Sequence, residues 1–141
     1  MERKQSVVTP ERFASGTTFE QYVRYVGSPE NLKREASQGA QRRDWSDHLR
    51  RAYQAARLSE GQTAAVKWLA AQPNGPAKIL VISEEWLSDC RRDLPLLARL
   101  AEAGRMELRI FRRQPAREVR GHAAGTGLAA PSQGRAPCAV V

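Results

Sequence analysis

Sulfur is scarce in this chain. Two cysteines, Cys90 and Cys138, stand far apart in unlike surroundings. They make no disulfide framework, and neither lies at metal-ligand spacing. Two histidines, His48 and His122, join no cluster, so no metal site and no cofactor is expected. Long apolar runs are missing too. The longest, residues 79–82, has four residues, against the ~18 or more that a membrane-spanning helix needs. The opening MERKQSVV is charged and leads into no apolar h-region, which argues against a secretory signal. The expectation is a cytoplasmic protein without a membrane partner.

Acid is in short supply. The chain has 15 Asp and Glu against 23 Lys and Arg, a net charge of +8. Residues 112–141 carry five arginines and one glutamate, half of that excess. A basic tail can hold phosphate backbones without reading sequence. A nucleic-acid binder, however, gathers its cations on one face with aromatics between them. The arginine pairs at 42–43, 50–51, 91–92 and 112–113 fall on different predicted elements. Acids such as Asp44, Asp47, Asp89 and Asp93 stand beside them. They read as solvated surface, and nucleic acid is not the expected partner.

A chain of 141 residues fits one domain with a normal core. Thr17 and Thr18 can cap a helix to residue 26, with Phe19, Tyr22, Val23 and Val26 at helical spacing. Residues 29–43 are polar and weakly patterned. A second helix is predicted over 44–57, with Trp45, Leu49, Ala52, Tyr53 and Ala56 in one stripe. Ser59 and Gln62 form a capping-box pattern ahead of a third helix carrying Ala65, Val66, Trp68 and Leu69. The run Pro73-Asn-Gly-Pro76 predicts a turn, with Asn-Gly tolerating positive φ.

Residues 78–83 predict a strand whose unbroken apolar run implies burial on both faces, as in a parallel sheet. A helix is predicted over 88–103 with Leu94, Leu97, Ala98 and Ala101 in its stripe, widened by Leu96 and Leu100. Gly104 suits the position just past its end. Residues 106–111 alternate apolar and charged, predicting a strand with one wet face. The connection between the strands is long enough for a parallel right-handed crossover. Residues 114–141 are half Ala, Gly and Pro and show no period. They bury too little apolar surface to offset ordering entropy, so a disordered tail is expected.

At residues 86–95 the chain resembles the thioredoxin family, which places W-C-x-x-C after a central strand, at the start of a helix. In that family a proline commonly follows five residues after the second cysteine. Trp86 matches the tryptophan, Cys90 the second cysteine and Pro95 the proline, while ILVIS before and MELRIF after keep the strand order. The loop is similar to an EEW-x-x-D-C-R-R-D form found in a bacterial thioredoxin-like group with added N-terminal helices. The likeness is carried by residues 77–113. Two departures stand out. Leu87 occupies the first-cysteine position, and nothing after Arg113 resembles the family's hairpin, cis-proline and last helix.

The resemblance implies an α/β fold: a partial thioredoxin-like fold, with a β-α-β unit preceded by about three helices. The expected division is a thioredoxin-like domain over 1–113 and the tail over 114–141. Within the domain, 17–71 form a helical extension and 77–113 the β-α-β core. The implied ancestral chemistry is thiol–disulfide exchange with protein thiols or disulfides as partners. In that chemistry an exposed cysteine attacks and a more buried one resolves. Cys90 holds the resolving position and the attacking sulfur is lost, so dithiol catalysis is expected to be impaired. Two roles fit Cys90: a small apolar filler, or a lone thiol whose thiolate Arg91 and Arg92 would favour and Glu84, Glu85 and Asp89 would oppose. Trp86, Leu87, Asp89 and Pro95 are the implied binding surface. The alternatives are a non-catalytic protein-interaction module and a basic nucleic-acid binder. With the hairpin missing, one edge of the 79–82 strand would be bare and would invite self-association. A truncated or frameshifted product is the expected cause.

Overall fold

The computed structural model describes residues 7–34, 41–113 and 139–140. Of the tail expected to be disordered over 114–141, residues 114–138, Cys138 included, and 141 lie outside the described residues, while 139–140 form a strand. Among the described residues, five helices precede the first strand: α1 (Pro10–Ala14), α2 (Phe19–Val26), α3 (Pro29–Leu32), α4 (Ser46–Ala55) and α5 (Glu60–Ala70). Then come β1 (Lys78–Ile82), α6 (Ser88–Gly104), β2 (Glu107–Phe111) and β3 (Ala139–Val140). The sheet order is β2-β1-β3. β1 and β2 run parallel, from Lys78 opposite Glu107 to Ile82 opposite Phe111, and α6 supplies the crossover. The α/β class and the β-α-β unit are therefore as the sequence implies.

Local chemistry explains most boundaries. Thr18 and Gln21 form a full capping box at α2, and Ser59 and Gln62 another at α5. Each box satisfies two otherwise orphaned N–H groups. The stretch 29–43, weakly patterned in sequence, holds α3 because Pro29 sits in its first turn and Ser28 accepts from the Asn31 N–H. The 88–103 helix runs one residue further, through Gly104, and Arg105 takes the left-handed conformation at φ 52°. The reason is packing. A Cβ at Gly104 would lie 2.9 Å from Val66 Cγ1 on α5, so the glycine serves helix approach and its neighbour bears the turn.

The core lies between one sheet face and the helices. Tyr22, Val23 and Val26 of α2, Leu49 of α4 and Leu94 and Ala101 of α6 meet Ile79, Val81 and Ile110. Leu94 is fully buried, a transfer worth about 1.5–3 kcal/mol. Three expectations about faces fail. β1 is not buried on both faces alike: Ile79 and Val81 are buried, whereas Leu80 is half-buried and Ile82 is 40% exposed. The helices of the core gather on the other side. On α5 the inward residues are Thr63, Val66 and Ala70, and Trp68 and Leu69 face solvent. Leu96 likewise points out from α6.

The sheet edges are treated differently from the expectation as well. Ala139 and Val140 pair antiparallel with Ile82 and Val81, so the edge expected to be bare is covered at those two residues. At the other side, Thr17 exchanges both backbone hydrogen bonds with Ile110, at 2.9 and 2.8 Å, and caps the outer edge of β2.

Candidate functional site

The loop from Ser83 to Leu87 links the end of β1 to the head of α6. The Leu87 N–H donates to the Glu84 carbonyl at 3.1 Å, closing a turn, and the Arg91 N–H donates to the Leu87 carbonyl at 3.1 Å, opening the helix. Leu87 is the N-cap and has no side-chain cap bond to give. Cys90 is three residues later, in the first turn, and is 1% exposed. Residues three apart share a helix face, so a sulfur at 87 would stand one turn above Cys90. Trp86, Leu87 and Asp89 are half-buried around the loop. Pro95 lies in the body of α6, buried, where its missing N–H leaves the Arg91 carbonyl without the usual helical donor. The structure thus brings Trp86, Leu87, Asp89 and Cys90 together, and sets Pro95 a full turn further along the helix.

The two arginines expected to favour a Cys90 thiolate are held elsewhere. Arg91 donates to the Glu85 carbonyl at 2.9 Å and lies 3.7 Å over the Trp45 ring. Arg92 forms a paired contact with Asp93 at 2.7 and 3.1 Å, in solvent. This contact holds the Asp93 carboxyl below its ordinary value.

Beside the thiol lies a buried polar cluster that sequence reasoning missed. Glu84 is 5% exposed, Glu85 1% and Asn31 0%. The Arg42 side chain is 6% exposed; its Nη1 meets Glu85 Oε1 at 2.7 Å and Glu84 Oε2 at 3.6 Å. Arg42 is therefore not the solvated surface expected of it. Asn31 Nδ2 donates to Glu85 Oε1 and to the Val26 carbonyl, both at 2.9 Å. Glu84 Oε1 accepts from the Arg113 backbone N–H at 3.0 Å. The cluster ties α3, the segment at 42, the β1–α6 loop and the exit of β2 into one knot. The available signal was the pair Glu84-Glu85 placed directly after a buried strand, where acids need buried partners.

Tyr22 closes the floor of the site. Its hydroxyl is 3.2 Å from Ser83 Oγ. Burial pushes its pKa far above the ordinary tyrosine range, opposed by the Ser83 bond and assisted by Glu85, Glu84 and Cys90. The phenol stays protonated at any physiological pH. Tyr22 is thus a neutral phenol that bonds Ser83 and feels both acids and Cys90. Among the described residues no group of His, Cys, Asp and Glu can hold a metal, and no helix is long and apolar enough to cross a membrane.

A parallel strand pair bridged by a helix, with a tryptophan loop and a first-turn cysteine between, defines a thioredoxin-like α/β protein. The family model described as Thioredoxin matches residues 28–128, and the chain belongs to that family. The match takes in α3, α4 and α5 as well as the β-α-β unit, and runs past Arg113, where the residue-by-residue likeness stops. No curated protein and no solved structure matches the chain.

Proposed function

We propose that this thioredoxin-family domain keeps the position of the thiol and has given up dithiol exchange, acting by holding protein segments. One observation carries the reading: Cys90 is 1% exposed, and the residue one turn above it, where a first sulfur would stand, is Leu87. Exchange starts when a thiolate attacks a disulfide sulfur, forming a mixed disulfide and releasing the other sulfur as thiolate. A second thiol must then displace the first for turnover. Here a buried lone sulfur would have to leave the core to attack, and no sulfur at 87 could release the product. Cys90 then serves as a small apolar filler beneath the helix start. The buried Arg42 also argues against a single basic face for nucleic acid. A reducing, cytoplasmic setting fits a chain with so little cysteine.

Reduction of insulin disulfides in the presence of dithiothreitol tests this, with Cys90→Ser alongside. The expected rates equal the protein-free rate for both chains. A rate above background that Cys90→Ser abolishes would defeat the reading. Thiol counting adds a second measure. In a Cys138→Ser chain, Cys90 is expected to react slowly in native buffer and fully in denaturant.

A further inference from the structure

Among the described residues, the face of the sheet turned away from the helical core is closed only in part, by α1 and the turn after it: Lys78 Nζ lies 5.0 Å over the ring of the buried Phe13, and Gly16 packs against Phe111. Leu80, Ile82 and Phe111 form the floor of a groove of about 410 Å³, and the segment through Val7 and Val8 forms its wall. Val7 is 74% exposed, Val8 39% and Ile82 40%. Such an apolar surface costs solubility and is usually kept for an interaction. Among the described residues, the charged ones lining this groove are of one sign: Arg12, Arg112 and Arg113. Arg112 is braced against the Tyr25 ring at 3.7 Å, and Arg12 donates to the Val7 carbonyl at 2.8 Å. Both guanidinium groups are therefore held, that of Arg12 at the Val7 wall of the groove and that of Arg112 toward α2.

We propose that this groove docks an extended acidic peptide segment of a partner protein, with apolar side chains on the floor and carboxylates toward the arginines. Charge decides among occupants. A second copy of a chain with net charge +8 is repelled, and an acidic partner is drawn in and oriented by the same field. Shape decides between a peptide and a membrane, because a lipid surface needs a protruding apolar face and this one is concave. Arginine forks grip carboxylates bidentately, and apolar floor contacts supply the larger share of the affinity. The proposal goes beyond the reading of Cys90 and stands independently of it.

Fluorescence anisotropy of the full chain with three labelled peptides tests the proposal: alternating Leu and Glu, alternating Leu and Lys, and alternating Ser and Glu. Saturable binding is expected for the Leu/Glu peptide alone, weakening as salt rises. Arg112→Glu with Arg113→Glu is expected to weaken it at least tenfold. Arg113→Glu alone leaves the Tyr25 contact intact and is expected to give part of that loss. Ile82→Ser is expected to weaken it with an unchanged salt dependence. Circular dichroism melts confirm that each variant is folded. Cys90→Ser is expected to bind as the parent does, which separates this outcome from any thiol effect. Equal binding of the Leu/Lys peptide, no saturable Leu/Glu binding, or undiminished binding in folded charge-reversed variants would overturn it. Binding to phosphatidylserine vesicles without Leu/Glu peptide binding would also overturn it, in favour of a membrane surface.

Discussion

Arg42 Nη1 lies 2.7 Å from Glu85 Oε1, with the two side chains 6% and 1% exposed. A pair so far from water is costly to assemble and far costlier to break. Arg42 Nε, Glu84 Oε2 and Glu85 Oε2 have no hydrogen-bond partner among the described residues, so the cluster has little slack. Arg42→Ala strands two buried carboxylates. The expected loss is about 3–5 kcal/mol of unfolding free energy, read by urea denaturation. The control is Arg24→Ala, whose ion pair with Glu20 is 74% and 85% exposed; a change of under about 0.5 kcal/mol is expected there. Equal effects would remove the cluster from any structural role.

Gly75 sits in the turn that leads into β1. A Cβ there would fall 2.3 Å from the Leu69 carbonyl oxygen and 3.0 Å from that of Ala70. These are backbone atoms at the end of α5 and cannot swing aside. The glycine is required for this close approach, and positive φ, the reason offered by the Asn-Gly pattern, is not used. Gly75→Ala is expected to cost about 1–3 kcal/mol and to lower the melting temperature. An unchanged melting curve would show that the turn can shift freely.

Asp44 opens α4, its Oδ1 accepting the Ser46 N–H at 2.9 Å. Hydrogen bonds from the Ser46 side chain and backbone hold its carboxyl below the ordinary value, against a small opposing effect of burial. Depression of the folded value means the contribution is present above the unfolded value, ~3.9, and is lost as pH falls through the lower folded value. Asp44→Ala is expected to destabilise by about 0.5–1.5 kcal/mol at neutral pH, the net worth of a typical hydrogen bond, and to flatten the acid limb of the stability profile. Parallel acid limbs in parent and variant would rule this role out.

Leu87→Cys, made with Cys138→Ser, restores two sulfurs one helical turn apart. The new thiol would sit at the N-terminus of a 17-residue helix, where the unpaired N–H groups and dipole favour a thiolate. It is expected to close a disulfide with Cys90, seen as loss of both free thiols under mild oxidation, and to gain insulin-reducing activity over the parent. If both thiols stay free, the β1–α6 loop holds position 87 out of reach of Cys90.

The sequence revealed the elements whose rules are local. Thr18 and Ser59 announce α2 and α5 because a capping box needs only four consecutive residues. The alternation around Leu108 and Ile110 gives β2 its faces, and the Trp86–Cys90 spacing gives the site its place in the chain. What stayed hidden depends on partners distant in sequence. Arg42 looks like any surface arginine until Glu85, 43 positions later, is seen beside it. The apolar run of β1 cannot say which face the helices choose. Trp68 and Leu69 look like core until Gly104 draws Val66 inward and turns them to solvent. The two-residue strand at Ala139 is too short to show a period.

The contact of Thr17 with Ile110 spans 93 positions, and it has a consequence for where this domain can be cut. A fragment starting at residue 28, where the family match begins, would lose Tyr22, Val23 and Val26 from the interior. It would also leave the outer strand's backbone groups open along the boundary that Thr17 now seals. The limits drawn by kinship and the limits of a self-sufficient folding unit do not coincide here. The first turns of the chain act as a clasp, without which the crossover has no lock.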